Sequence, residues 1–112
     1  MSGHRLVSGT CAVKRDRQTL RRDALQIWRA GVEAVRPANL IPSFVHTAGD
    51  ALQIGDEEFD LRTIERIVVV GAGKAGASMT IALENALGIE VIEQKQVTGW
   101  VNVPADCLEE TQ

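Results

Sequence analysis

The sequence predicts an α/β fold in which helices flank a parallel sheet. Three observations carry this prediction: a β-branched run at residues 67–70 enters a glycine-rich turn, an amphipathic helix pattern follows, and a second strand pattern spans residues 97–103. A strand, a helix and a strand in this order form one βαβ unit. The uninterrupted apolar character of the first strand is typical of a strand covered on both faces.

Length and composition restrict the chain to one globular domain. It has 112 residues, of which 45% are hydrophobic and 24% are charged, and this is ordinary globular composition. Two cysteines and two histidines are too few for a disulfide framework or a zinc site. The sequence has neither the roughly 18–20 apolar residues needed to span a bilayer nor a secretory signal. We therefore expect a cytoplasmic protein with no membrane partner.

The charge is divided unevenly along the chain. Residues 1–36 hold 8 Lys and Arg against 3 Asp and Glu, whereas residues 37–112 hold 4 against 12. A basic segment can indicate nucleic acid, but Trp28 is the only aromatic residue in it, so stacking side chains are not interleaved with the charges. We predict no nucleic-acid partner, and instead a solvated helix face that meets acidic surface elsewhere in the same molecule.

The first element is predicted to be a helix that follows a flexible extension at residues 1–18. Apolar residues recur at steps of three and four from Leu20 to Val35, which places them on one helix face. Pro37 is expected to end the helix. Residues 39–46 are ambiguous and have room for a short helical turn. Residues 19–112 form the predicted domain.

A β-hairpin is predicted at residues 51–61. The pair Gly55 and Asp56 suits a two-residue turn, and the resulting register places Leu52 opposite Phe59. The acidic residues 56–58 then form a solvated turn, since they lack the alternating spacing of a calcium loop.

Trp28, in the first predicted helix, and Trp100, in the second strand pattern, are predicted to be packing residues.

The glycine turn carries the candidate chemistry. Gly71, Gly73 and Gly76 satisfy G-x-G-x-x-G between a strand and a helix, the context of a dinucleotide-binding fingerprint. Glu93 lies near the expected spacing for a ribose-binding acid, but it precedes the second strand pattern instead of ending it. A Walker A motif is excluded, because Val68 stands at its first glycine position and Ala75 at its hydroxyl position.

Lys74 is unexpected at the start of the helix that follows this turn. A cation in the first turn of a helix opposes the helix dipole and costs about 0.3–1 kcal/mol. A bound phosphate would remove the conflict, because Lys74 and the helix N–H groups would then hold one anion together. The residues alone also fit a second interpretation, in which the glycines allow close packing and Lys74 points to water.

Two segments resemble the class II glycerate kinases, the glycerate 2-kinase family with a MOFRL-type C-terminal domain. Residues 22–37, RDALQIWRAGVEAVRP, are similar to the opening helix of that family, and residues 67–75, IVVVGAGKA, resemble its V-V-G-x-G-K-A signature. The resemblance extends over about residues 20–105. It implies a Rossmann-like domain, of which these residues would be an incomplete N-terminal fragment, and a second α/β domain across a cleft.

The resemblance also implies an activity. Family members transfer the γ-phosphoryl group of ATP to a hydroxyl of D-glycerate, giving 2-phosphoglycerate, with Mg²⁺ as cofactor. Lys74 matches the catalytic lysine of the signature, and Gly71, Ala72, Gly73 and Ala75 match its phosphate-binding backbone. No residue of the chain is assigned to metal. Residues 1–112 are expected to be inactive alone.

Two other functional classes stay open. One is an NAD(P)-dependent oxidoreductase such as a hydroxypyruvate reductase, a label that some family members carry. The other is a noncatalytic, truncated Rossmann-like module. The expected partners are ATP and the small-molecule substrate, together with further copies of the chain in a homo-oligomer.

Overall fold

The computed structural model describes residues 14–107. These residues form an α/β structure with four helices and five strands, in the order α1 (Arg17–Ala34), α2 (Pro37–Phe44), β1 (Val45–Ala48), β2 (Ala51–Ile54), β3 (Glu57–Asp60), β4 (Val68–Ala72), α3 (Gly76–Leu87), α4 (Ile89–Gln94) and β5 (Thr98–Asn102). Short 3₁₀ turns follow β3 and β5. None of the described helices is long and apolar enough to cross a membrane.

The strands form two separate sheets. Strands β1, β2 and β3 make an antiparallel sheet in that order, and β4 pairs with β5 in parallel. Leu52 pairs with Phe59 across a turn in which Gly55 has a φ of 60°, so the predicted hairpin and its register are confirmed. The parallel pairing of β4 and β5 confirms the βαβ unit. The sequence did not predict β1 or α4.

The core lies between the antiparallel sheet and helices α3 and α4. Its buried members come from four different elements and the 3₁₀ turn after β3: Val45, Leu52, Leu61, Leu87 and Val91. Partly buried side chains surround them, from Ile41 of α2 to Val97 before β5. The helix cap at Gly88, with a φ of 80° that favours glycine, turns the chain from α3 into α4.

Helix α1 begins and ends where local chemistry dictates. Asp16 accepts a hydrogen bond from Thr19 N at 2.6 Å, which is the bonding pattern of an N-cap. Arg36 is extended, with φ −62° and ψ 136°, because the residue before a proline avoids the α region. Pro37 therefore ends α1, as predicted, and also opens α2, since proline suits the first turn of a helix.

None of the residues of α1 is buried. The ion pairs in and beside α1 are local, with Arg15 and Arg22 on Asp23 and Arg36 on Glu33. The prediction that this basic face meets acidic surface elsewhere in the same molecule is therefore wrong for the described chain. Helix α1 starts at Arg17, inside the segment predicted to be an extension, and residues 1–13 lie outside the described residues.

Two further packing predictions are corrected. Strand β4 is covered on one face only, since Val68 and Val70 are exposed. Trp28 and Trp100 are 63% and 74% exposed, so neither packs in the described part of the chain. Burial on both faces of a strand requires elements on both sides, and helix α3 lies on one side.

The N-cap of α1 predicts a local pH dependence. Hydrogen bonds from Thr19, chiefly from its backbone N–H, lower the pKa of Asp16 below its ordinary value of 3.8. A carboxylate whose pKa is lowered by folding stabilises the fold above its unfolded pKa, and this contribution is lost as the pH falls through the folded pKa. We expect the Thr19 amide resonance to titrate with a midpoint below 3.8.

The control for this titration is Asp16→Asn, whose amide oxygen still caps the helix but does not ionise. In that variant the Thr19 resonance should show no such midpoint. A midpoint at or above 3.8 in the unaltered chain would contradict the capping account.

Candidate functional site

The glycine turn joins β4 to α3 at residues 73–75. Gly73 has a φ of 134°, a conformation that favours glycine over residues with a Cβ. Its N–H donates to Asn102 O at 3.0 Å, and its carbonyl accepts from Gly76 N at 3.0 Å. The turn is therefore fixed both to the end of β5 and to the start of α3.

The parallel register sets the position of the turn in the sheet. Ala72 pairs with Asn102, so the carboxyl ends of β4 and β5 lie side by side. Ligands of open α/β sheets bind outside the carboxyl ends of the strands. The glycine turn thus occupies the edge at which such a fold places a binding site.

Four backbone N–H groups at the turn have no acceptor. Within the region that the structure describes, no chain atom accepts a hydrogen bond from the N–H of Lys74, Ala75, Ala77 or Ser78. The first turn of α3 also has no acidic residue and no side-chain cap. A helix start with free donors and no nearby acid attracts anions.

The Lys74 side chain adds a positive charge at the same place. Lys74 is exposed, and across residues 14–107 no carboxylate forms an ion pair with it. An ammonium group without a carboxylate partner, on a residue whose own N–H is free, is suited to phosphate or carboxylate. The geometry therefore combines a point charge with oriented backbone dipoles.

The residues predicted to be catalytic or to bind phosphate divide into two groups. Gly71 and Ala72 belong to β4, and the N–H of Gly73 is engaged by Asn102. Ala75 and Lys74 lie in the turn itself, and both keep a free N–H. The free donors of the turn and of α3 therefore begin after Gly73, whose contribution is the shape of the turn.

Gly76 has a packing role. A Cβ added there would lie 2.7 Å from Val101 Cγ1 and 2.8 Å from Val103 Cγ1. Helix α3 thus approaches β5 closely because position 76 has no side chain. The third glycine of G-x-G-x-x-G is explained by this contact without a dinucleotide.

We expect Gly76→Ala to destabilise the protein. Overpacking against the two valines costs about 1–3 kcal/mol, which exceeds the gain of about 1 kcal/mol from replacing glycine by alanine in a helix. The matched control is Gly31→Ala in α1, where an added Cβ would meet nothing within 4 Å. Urea unfolding should show a lower midpoint for Gly76→Ala alone, and equal midpoints for both variants would refute the close approach.

Glu93 does not support a dinucleotide site. It lies in α4, before β5, and so near the amino end of that strand. The glycine turn is at the carboxyl end. An acid that binds ribose would have to lie at the same edge as the turn, so the structure removes Glu93 from that role.

The described residues contain no other assembled centre. Within residues 14–107 no group of three His, Cys, Asp or Glu side chains is placed to hold a metal ion. His46 Nε2 lies 3.1 Å from Gln53 Oε1, on the antiparallel sheet. Cys107 is a free, half-buried thiol, and Cys11 lies outside the described residues.

Sequence reasoning missed three contributors to the site. Ala77 and Ser78 supply free donors, and Asn102 fixes the turn through its carbonyl. The Asn102 side chain also accepts from Trp100 Nε1 at 2.8 Å. The position of Asn102 at the end of the second parallel strand was the available signal, because that end must lie beside the turn.

Comparisons with known proteins give one match. Searches of curated proteins and of solved structures found none. A family profile described as "Domain of unknown function (DUF4147)" matches residues 23–112. Because the match covers more than half of the sequence and includes the glycine turn, the chain belongs to the DUF4147 family.

Proposed function

We propose that this chain forms part of a glycerate 2-kinase, in which the glycine turn binds the phosphates of ATP. The observation that carries the proposal is the conjunction of Lys74 with the free N–H groups of the turn and of the first turn of α3. The similarity of residues 67–75 to the glycerate kinase signature supports the same assignment.

The proposed reaction moves one phosphoryl group. The bond between the γ-phosphorus and its bridging oxygen breaks, ADP leaves, and the 2-hydroxyl oxygen of D-glycerate forms the new bond to phosphorus. The hydroxyl proton is lost to a base that we do not assign among residues 14–107. Phosphoryl transfer of this kind depends mainly on positioning and on stabilising the charge of the transferred group.

Lys74 and the turn would supply that stabilisation. The free N–H groups of Lys74, Ala75, Ala77 and Ser78 are fixed donors, and fixed donors stabilise charge without reorganising during the reaction. The ammonium group of Lys74 would neutralise one phosphate oxygen. Gly73 gives the turn its conformation, because its φ of 134° is one that residues with a Cβ rarely adopt.

Magnesium is expected from the resemblance, but the described residues provide no cluster of three ligands for it. We therefore assign no residue to the metal and derive no step from it. When bound with ATP, Mg²⁺ neutralises charge on the β- and γ-phosphates. The proposal also includes a second α/β domain and a cleft between the two domains, both of which the resemblance implies.

The test is a phosphorylation assay on the complete protein that contains these residues. The proposal predicts ATP-dependent conversion of D-glycerate to 2-phosphoglycerate, with one ADP formed for each product. Oxidation of NADH or NADPH with hydroxypyruvate, in place of phosphorylation, would support the oxidoreductase and overturn the kinase. If the complete protein shows neither activity and does not bind ATP, the result would indicate a noncatalytic module.

A further inference from the structure

The Asn102 side chain is held in one orientation at the end of β5. Its Oδ1 accepts a hydrogen bond from Trp100 Nε1 at 2.8 Å. An indole N–H can only donate, so the amide oxygen must face Trp100, and the amide Nδ2 group with its two donors must face away. Across residues 14–107 no chain atom accepts a hydrogen bond from Nδ2. Trp100 therefore leaves Asn102 as a hydrogen-bond donor to a ligand at this end of the strand.

Asn102 also borders the glycine turn. Its carbonyl accepts a hydrogen bond from Gly73 N at 3.0 Å, and Ala72 is its register partner. A Cβ added to Gly76 would lie 2.7 Å from Val101 Cγ1, so Val101 faces α3. Because side chains alternate along a strand, the Asn102 side chain lies on the other face. The start of α3 and the Asn102 amide are thus on the two sides of one sheet edge.

The chemistry at the end of β5 differs from that of a dinucleotide-binding fold. There an acidic residue accepts a hydrogen bond from a ribose hydroxyl, and its negative charge would repel a phosphate. Asn102 has no charge, and Trp100 occupies its amide oxygen, so the group that it offers is a donor. Lys74 and the free N–H groups of the turn are donors too. Donors on both sides of the edge suit a ligand with several acceptor oxygens.

We propose that Asn102 is a further phosphate-binding residue, whose Nδ2 donates to an oxygen of the ATP triphosphate, and that Trp100 is the positioning residue that orients it. The inference rests on the proposed function, since it takes ATP as the ligand. Neighbouring strands lie about 4.8 Å apart, a distance that a triphosphate spans, and ligands of such sheets lie outside the strand ends. One triphosphate therefore contacts both the turn after β4 and Asn102 at the end of β5.

Isothermal titration calorimetry of the complete protein with ATP tests this contact. Asn102→Ala removes the donor and should raise the Kd for ATP at least about fivefold, since hydrogen bonds to charged groups are among the stronger ones. Asn102→Asp still accepts from Trp100 but adds a negative charge, and should raise the Kd at least about 30-fold. Both variants keep the backbone carbonyl that holds Gly73. Changes below about twofold in both variants would overturn the proposal.

The matched controls are Gln53→Ala and Gln53→Glu. Gln53 is an amide whose Oε1 is also engaged, at 3.1 Å from His46 Nε2, but it belongs to β2 of the antiparallel sheet. These variants make the same chemical changes away from the turn, and each should change the Kd for ATP less than about twofold, since exposed charges are screened over distance. An effect of Gln53→Glu equal to that of Asn102→Asp would show that net charge is responsible, and would contradict the contact.

The positioning role of Trp100 is tested by Trp100→Phe. This variant keeps an aromatic ring on the strand and removes the N–H that holds Asn102 Oδ1. It should raise the Kd for ATP about threefold in the unaltered protein, and should have no effect when Asn102 is already replaced by alanine, because residues that act through one contact are not additive. Equal effects in the two backgrounds would show that Trp100 does not act through Asn102.

Tripolyphosphate separates a phosphate contact from a ribose contact. It has the phosphate chain without the nucleoside, and Asn102→Asp should weaken its binding by the same factor as that of ATP. A loss seen with ATP alone would place Asn102 at the ribose, which would overturn this inference and leave the kinase proposal standing. An unaltered protein that binds neither ligand would overturn both. Circular dichroism checks the fold of each variant, and Asn102→Ala alone decides the matter if Asn102→Asp does not fold.

Discussion

Replacing Lys74 with alanine is expected to lower kcat for D-glycerate phosphorylation about 100-fold in the complete protein. Removing one fixed donor from a developing negative charge typically costs a factor of about 10²–10³, and 100-fold corresponds to about 2.7 kcal/mol of barrier. Lys74 is exposed and forms no ion pair with a carboxylate in residues 14–107. Its removal should therefore leave the fold intact and affect the transferred group alone.

The matched control is Lys95→Ala. Lys95 precedes β5 and so lies at the amino end of the parallel pair, away from the turn. Steady-state kinetics should show less than a threefold change for this variant, while Lys74→Arg should recover part of the loss because it keeps the charge. A fall of less than about tenfold for Lys74→Ala, which is under 1.4 kcal/mol, would show that Lys74 is not catalytic.

Replacing Leu87 with alanine is expected to give the largest loss of stability. Leu87 is buried in the core between α3 and the antiparallel sheet, and its carbonyl accepts a hydrogen bond from Thr47 Oγ1 at 3.4 Å. Leucine-to-alanine changes at such positions cost about 2–5 kcal/mol. That is a large part of the 5–15 kcal/mol by which a domain is usually stable.

Urea unfolding followed by circular dichroism measures this loss. Met79→Ala is the control on the same helix, because Met79 is 47% exposed and should cost less than about 1 kcal/mol. Equal losses for Leu87→Ala and Met79→Ala would contradict the position of the core.

Elements with a local signal were predictable from the sequence. The period of apolar residues located α1, the pair Gly55 and Asp56 located the hairpin, and the glycine turn located the βαβ unit. Strand β1 was missed because Val45–Ala48 has no strong strand pattern, and it is held by its pairing with β2. Helix α4 was missed because its six residues are too few to show a period.

The sequence identified the residues of the candidate site, but it did not show which of their N–H groups are free to donate a hydrogen bond. The spacing of glycines around Lys74 identified the turn, yet the N–H of Gly73 donates to Asn102, which lies far along the chain. The exposure of β4 and β5 was unpredictable because it also depends on contacts between distant parts of the chain. Val70 and Trp100 have the composition of covered residues, but their exposure depends on which element lies over the sheet.

The account depends most on the binding of phosphate groups by the glycine turn. An amide-resonance titration of the 112-residue chain with ATP tests this directly, with Lys74→Ala as the control. The account predicts shifts concentrated at Lys74, Ala75, Ala77 and Ser78, whose N–H groups are free, and much weaker binding by the variant. Saturation with ATP that leaves these four resonances unmoved, or shifts that Lys74→Ala does not weaken, would contradict it.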